Sequence, residues 1–311
     1  MSGTALKVMV LVGGPDRERS VSFMSGRQVT AALVHAGHDV RQCQIGPDEL
    51  DCLDEFVRWR GDVIFPALHG AWGEGGTLQH LLDERELVYV GSSATAASLC
   101  MDKHRAKMAL IDHGLPTPPH EIVGHDEPVM IEPPIVIKPL CEGSSIDLRL
   151  CLDGRSVDVA RKRLGEQYKK LLVERYVAGQ EMTVGVVGGA DGDEALPPIH
   201  IIPATEFYDY QAKYERDDTQ FIFDDLPLDQ DEDLRHLALK THTLLGCRHL
   251  SRVDFIVDDA GQPWILEVNT IPGFTGHSLV PMAAARIGMN LDVLVDHLTR
   301  LAFDTNLVAY G

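Results

Sequence analysis

The sequence predicts an α/β chain with α+β character, in three successive units: 1–100, 101–187 and 188–311. Three observations lead there. Short apolar strands alternate with helical periods through the first hundred residues, the pattern of a parallel sheet. A proline-rich stretch, Pro116 to Pro119, marks a change of texture. Beyond it, strands outnumber helices and a β-hairpin closes on Asp258-Asp259-Ala260-Gly261, a strong turn signal.

In the first unit, residues 7–12 read as a strand ending in Gly13-Gly14, followed by a helix presenting Val21, Met24, Gln28 and Ala32 on one side. Residues 62–68 form a second strand, 78–86 a helix and 87–91 a third strand. Gly13-Gly14 and His69-Gly70 then fall beyond carboxyl ends of strands, where open α/β sheets place ligands. A helix over 101–113 stops at Gly114. In the central unit, strands over 134–139, 171–176 and 181–187 surround a helix over 157–168. The last unit holds a strand from Ile199, a polar loop over 206–218 long enough to act as a lid, a helix over 234–245, the hairpin and two closing helices.

The chain has 311 residues, 44% of them apolar, enough for about two domains or more. A formal charge of -19 spread along the chain argues against nucleic acid and anionic membrane partners. Residues 1–7 lack a signal-peptide pattern, and no apolar run approaches the roughly 20 residues of a membrane span. Six cysteines are scattered without C-x-x-C spacing, as expected of reduced thiols in a cytoplasmic protein.

The chemistry concentrates in the hairpin over 252–269. Pairing Ile256 with Ile265 sets Asp254 opposite Glu267 and Arg252 opposite Asn269, all on one face. Facing carboxylates need a counter-charge. An all-oxygen set of Asp254, Glu267 and Asn269 suits a hard cation such as magnesium completed by phosphate oxygens. A solvated acidic face is the competing reading, and the lysines bear on it. Lys138 ends an apolar strand, where a cation needs an anionic partner. Gly143-Ser144-Ser145 follows, offering N–H and hydroxyl donors to phosphate. Lys103 opens the second unit. Glu174 and Glu181 bracket a hinge whose backbone could meet an adenine ring and whose carboxylates could meet ribose hydroxyls. Each of these also reads, taken singly, as an ordinary surface or loop feature.

Together the motifs resemble the ATP-grasp superfamily and, within it, the D-alanine–D-alanine ligases, over about residues 8–302. The resemblance rests on Gly13-Gly14 with Glu18 and Ser22, Pro66-Ala67-Leu68-His69-Gly70, Gly76-Thr77-Leu78-Gln79 and Met101-Asp102-Lys103. It continues through Ile137-Lys138-Pro139, Gly143-Ser144-Ser145, the Phe207 to Tyr214 run, Arg252-Val253-Asp254, Glu267-Val268-Asn269 and the Pro272 to Leu279 run. It implies an ATP-grasp fold and ligation of two D-alanines through an acyl phosphate, for peptidoglycan synthesis. By the resemblance, Lys103, Lys138, Ser144, Ser145 and Lys213 surround the ATP phosphates. Glu174, Arg175, Tyr176, Val177 and Glu181 meet the adenosine, and Asp254, Glu267 and Asn269 hold two magnesium ions, with manganese as a substitute. Glu18 and His69 hold the first D-alanine, unless His69 is purely structural. Arg252 and Gly273 stabilise the oxyanion, and Ser278 and Leu279 take the second carboxylate. Glu18, Ser144 and Tyr214 tie down the lid. A homodimer is also suggested.

Three positions depart from the family pattern. Asp147 stands where glycine is usual, placing a Cβ where φ > 0 is expected and an anion near the phosphates unless it turns away or meets a cation such as Arg149. Gly75 replaces an acidic residue, and so does Ser20. Three other functions stay open: a ligase with another second substrate (D-lactate, D-serine or another amino acid), which the lid sequence disfavours for depsipeptides; a nucleotide-binding paralogue with little catalysis, which Asp147 keeps open; and a different ATP-grasp carboxylate–amine ligase, which would need substrate-contacting residues unlike Glu18, His69 and Ser278.

Overall fold

A computed structural model describes residues 4–124, 127–143, 146–189, 192–204, 218–224 and 226–310, with side chains through 305. Ser144, Ser145, Lys213 and Tyr214 lie outside the described residues, as does most of the expected lid.

The N-terminal unit is the expected parallel sheet. Strand β1 (Lys7–Gly13) runs between β2 (Asp39–Ile45) and β3 (Val63–Pro66), parallel to both. The third predicted strand, 87–91, contracts to a single parallel bridge between Ile64 and Tyr89. Helix α1 (Arg19–His35) forms, but a different face is buried. Val21, Ser22, Ser25, Val29, Ala32 and Leu33 face inward while Met24 is exposed. The inward serines are engaged in hydrogen bonds: Ser22 Oγ donates to Ala67 O (2.6 Å) and accepts from Gly13 N–H (2.8 Å). A buried hydroxyl with both functions satisfied costs little, so an apolar-only count misplaces the stripe. Short helices α2 (Asp51–Trp59), α3 (Ala71–Glu74) and α4 (Thr77–Glu84) follow. The predicted 101–113 helix forms as α6 (Lys103–Asp112), preceded by a separate α5 (Ala94–Met101) outside the predicted span; the Asp102 carboxylate accepts from Arg105 N–H and caps the start of α6.

The central sheet has the order β4-β7-β5-β6, from β4 (His120–Gly124), β5 (Ile135–Pro139), β6 (Arg149–Cys151) and β7 (Lys170–Arg175). Helix α7 (Gly154–Gly165) covers one side, packing with Ile135, Ile137, Leu171 and Val173. Alternation sends Val136, Lys138 and Glu174 to the opposite face. The third sheet runs β11-β10-β8-β12-β13, with β9 alongside β8. Its members are β8 (Gly179–Val187), β9 (Glu194–Ala195), β10 (Ile199–Ile202), β11 (Gln220–Ile222), β12 (Leu250–Asp258) and β13 (Pro263–Asn269). Strand β8, grouped by sequence with the central unit, thus pairs with strands of the C-terminal unit. Helices α8 (Leu228–Leu244), α9 (Leu279–Arg286) and α10 (Leu291–Tyr310) complete the chain.

The hairpin register is partly as expected. Arg252 faces Asn269 and Asp254 faces Glu267, but Ile256 pairs with Trp264 and Ile265 with Phe255. The shift between Asp254 and Phe255 makes Leu266 the extra residue of a β-bulge. As a result Leu266 and Glu267, adjacent in sequence, both face the same cleft. A regular strand would turn one of them away.

Candidate active site

Two adjoining clefts lie on the inner faces. The first, about 950 Å³ with its open mouth, lies between the central sheet and the hairpin. Lys103, Lys138, Glu174, Glu181, Asp254 and Glu267 supply its charged walls, and the Arg175–Val177 connection its hinge side. The second, about 600 Å³, is bounded by Glu18, His69, Glu74, Arg252, Asn269, Gly273, Ser278 and Leu279. A smaller recess connects them, sharing Lys103, Glu142 and Glu267 with the first cleft and Glu74, Gly143 and Asn269 with the second. The described members of both predicted residue sets are therefore brought together.

On the hairpin face, Arg252 donates twice to Asp254, from Nε to Oδ1 and from Nη2 to Oδ2, each at 2.8 Å. Asn269 Nδ2 donates to Asp254 Oδ2 (3.0 Å), and Thr183 Oγ1 on β8 donates to Asp254 Oδ1 (2.6 Å). Thr183 lies directly across from Asp254 in the sheet, which places the two side chains on one face. Glu267 accepts from Lys103 Nζ at 3.2 Å. Burial alone would lower the Lys103 pKa, but Glu267 outweighs it and the ammonium is held above its ordinary range. Lys103 also donates to Glu142 O (2.6 Å).

Two carboxylates and one amide match the donor chemistry of a hard divalent cation. Among the described residues no cluster of three or more His, Cys, Asp or Glu could cage an ion by protein ligands alone. The set therefore fits an ion that draws most of its oxygens from phosphate and water, as magnesium does.

Behind the first cleft sits an ion-pair group of which the sequence reading named Lys138 and Glu174 but missed Lys107. Glu174, 3% exposed, pairs with both Lys138 and Lys107, the latter at 3.1 Å. Burial would raise its pKa, yet the two ammonium groups pull it down to about 2. Lys107 is itself buried and also donates to Thr117 Oγ1 (2.7 Å). Its signal was the i, i+4 spacing from Lys103 on a helix, which leaves open which side faces inward.

In the second cleft Gly143 packs against Glu18: an added Cβ would lie 3.0 Å from Glu18 Oε2, tight enough that the carboxylate would have to shift. At Gly273 a Cβ would come within 2.8 Å of Ser278 Oγ. His69 has both ring nitrogens engaged, with Ser25 Oγ at 3.1 Å and Ile271 O at 3.2 Å. The carbonyl can only accept, so Nδ1 carries the proton and Nε2 accepts from Ser25. Burial lowers the His69 pKa to about 4, keeping the ring neutral. Glu74, also missed by sequence reading, is buried and raised to about 8 by desolvation and the neighbouring Glu18 carboxylate; Gly70 N–H donates to it at 3.0 Å. Ser278 begins α9 and accepts from Thr275 N–H at 2.8 Å.

The departures have structural answers. Asp147 does adopt φ 59°, and its carboxylate meets Tyr168 Oη (2.9 Å), Arg17 (3.4 Å) and Arg149 (3.7 Å). Ile146 and Leu148 line the first cleft, whereas Asp147 is turned out of it. At Gly75 an added Cβ would lie 2.2 Å from Ala71 O, so this backbone excludes the acidic residue usual there. Ser20 has no comparable constraint in the structure.

A family model described as "D-ala D-ala ligase C-terminus" matches residues 110–300. The chain is 40% identical over 303 residues to the D-alanine–D-alanine ligase of Bordetella parapertussis, covering 95% of each. It is 35% identical over 297 residues to that of Methylacidiphilum infernorum, again covering 95% of each. The crystal structure of D-alanine–D-alanine ligase from Bacillus anthracis complexed with ATP superposes with a TM-score of 0.85 at 28% identity, covering 99% of this chain and 100% of that one. The Coxiella burnetii ligase, at 23% identity and a TM-score of 0.84, agrees in fold. No helix among the described residues is long and apolar enough to cross a membrane.

Proposed function

The chain belongs to the D-alanine–D-alanine ligase family, and on that premise we propose how its residues join two D-alanines with ATP to give D-alanyl-D-alanine for peptidoglycan synthesis. The observation that carries the reading is the seam between the clefts. Asp254, Glu267 and Asn269 stand where a nucleotide-sized space meets an amino-acid-sized one.

ATP lies in the first cleft, its adenine edge along the Arg175–Val177 backbone and its ribose toward Glu181. Lys103 and Lys138 meet the phosphates, joined from the lid by Lys213 and from the glycine-serine turn by Ser144 and Ser145. Asp254, Glu267 and Asn269 hold magnesium, two ions by the family pattern, which supplies charge neutralisation to the transferring phosphoryl group. In the second cleft Glu18 accepts the first substrate's ammonium. His69, neutral and fully bonded, fixes the Ile271 to Phe274 turn rather than taking a proton. The first carboxylate attacks the γ-phosphorus, giving an acyl phosphate and ADP. The second D-alanine places its carboxylate at Ser278 and the Leu279 N–H, at the start of α9, where helix N-termini favour anions. Its amine attacks the acyl carbon, Arg252 and the Gly273 N–H steady the oxyanion, and phosphate departs. Tyr214, with Glu18 and Ser144, closes the lid and keeps water from the acyl phosphate.

Asp147 was the feature favouring a weakly catalytic paralogue, and its outward orientation removes that support. The test is a reaction of purified protein with ATP, magnesium and a panel of D- and L-amino acids and hydroxy acids, followed by phosphate release and product mass. D-alanine-dependent phosphate release with a D-alanyl-D-alanine product is expected. ATP binding without amino-acid-dependent turnover would refute the reading, and a mixed product would move the specificity assignment.

A further inference from the structure

Two buried ammonium groups share one buried carboxylate beside the first cleft. Lys138 lines that cleft, while Lys107 does not and is 1% exposed. Both pair with Glu174, Lys138 from β5 and Lys107 from α6 on the other side. Lys107 is anchored by Thr117 Oγ1 and by the backbone carbonyl of Ile265 (3.4 Å), which in turn accepts from Thr117 (2.8 Å). Its position is thus fixed by a loop and the hairpin, whatever Lys138 does.

The arrangement matters when an anion arrives. A phosphate that recruits Lys138 takes it away from Glu174. A buried carboxylate left without a cation is strongly unfavourable, so Lys138 alone would be locked in its pair. With Lys107 in place, Glu174 keeps a partner through the exchange, and the group carries a spare positive charge for an incoming polyanion.

We propose that Lys107 is a positioning residue for nucleotide binding, holding Glu174 from behind so that Lys138 can exchange this carboxylate for a phosphate of ATP. The inference rests on the reading above that Lys138 meets the nucleotide. It assigns Lys107 no contact with substrate. It also makes Glu174 the element through which Lys107 acts, so removing the Glu174 charge should make Lys107 dispensable.

The test measures equilibrium binding of a non-hydrolysable ATP analogue with magnesium, and ligase KM(ATP) and kcat, for the full chain. Lys107→Met should weaken analogue binding and raise KM(ATP) about tenfold or more, with kcat at saturating ATP changed less than threefold. Lys107→Arg should bind within threefold of wild type. Against a Glu174→Gln background, Lys107→Met should change affinity less than twofold, and where Lys107→Met alone fails to fold, Lys107→Gln replaces it in both backgrounds with the same expectations. A loss of the same size in both backgrounds, or no loss in the wild-type background, overturns the inference. Lys138→Met separates the two levels. Unchanged analogue binding there refutes the nucleotide role of Lys138 and the inference with it. A weakened Lys138→Met beside an unaffected Lys107→Met refutes the inference alone.

Discussion

The hairpin and the lysine group solve the same problem, charge held at the wall of one cleft, in opposite ways. On the hairpin, Asp254 is gripped by Arg252 two residues away, Asn269 across the strand pair and Thr183 on the next strand. Every partner follows from strand alternation and register. Around Glu174, the cations come from α6 and β5 and the carboxylate from β7, assembled by the packing of separate elements. The hairpin charges are also partly open, with side-chain exposures of 14% for Arg252 and 13% for Asp254, whereas Lys107 and Glu174 stand at 1% and 4%. A partly open pair can be broken at the cost of chemistry. A sealed group should be broken at the cost of the fold.

The largest expected effect breaks the hairpin side of this contrast. Asp254→Ala removes a ligand for the cation and frees Arg252 from its bidentate partner. Losing several kcal/mol of transition-state stabilisation predicts a fall in kcat of about 100-fold or more. Melting temperature should fall less than for the next variant, because the Arg252 head keeps some access to water. Turnover within threefold of wild type would remove Asp254 from the ion-binding set. A melting loss as large as that of the next variant would erase the contrast.

Glu174→Ala breaks the sealed side. It leaves two buried ammonium groups uncompensated, a change worth about 3–5 kcal/mol of stability. The pH dependence carries the sign. The Glu174 pKa is depressed in the folded chain to about 2, against an unfolded value near the ordinary 4.5. Its contribution is therefore present above about pH 4.5 and is lost as pH falls toward 2. Urea midpoints of wild type and Glu174→Gln between pH 2.5 and 6 should converge as pH drops. Parallel curves would show that the two lysines do not hold Glu174 as the structure has it.

These two regions also mark how far the sequence could be read. The facing of Asp254 with Glu267 and Arg252 with Asn269 was legible because a turn signal and a period of two fix it. The bulge at Leu266 was not, since it depends on what the cleft needs two consecutive side chains to line. Lys138 was legible as a cation in want of an anion; that the anion is Glu174, diagonal to it on the neighbouring strand, needed the β5–β7 register. Lys107 was missed because a helical lysine four residues after another looks like surface until the helix is packed. Ser25 and Glu74 escaped for a related reason: burial of a polar group becomes visible only with its partners, and α1 was rotated by weighing apolar positions alone. The parallel N-terminal sheet was legible because apolar periodicity and glycine positions specify it locally, whereas the pairing of β8 with β10 and β12 was not, because it is set between strands distant in the chain.

Asp147 gives the smallest effect and the sharpest control, because its charge lies just outside the cleft that the other two regions line. Its φ of 59° favours glycine, so Asp147→Gly should relieve about 1 kcal/mol of backbone strain. It also loses the Tyr168 hydrogen bond, worth about 0.5–1.5 kcal/mol. The exposed pairs with Arg17 and Arg149 add little, since solvent and salt screen them. These contributions nearly cancel, and stability should stay within about 1 kcal/mol of wild type. Because the carboxylate is turned out of the first cleft and held by Tyr168, Arg17 and Arg149, KM(ATP) should change less than threefold. Asp147→Asn keeps an acceptor for Tyr168 without the charge, so it separates tether from electrostatics. If both variants tighten ATP fivefold or more, the Asp147 charge is felt inside the cleft, and sealing rather than orientation alone must be what insulates Glu174 and Lys107 from it.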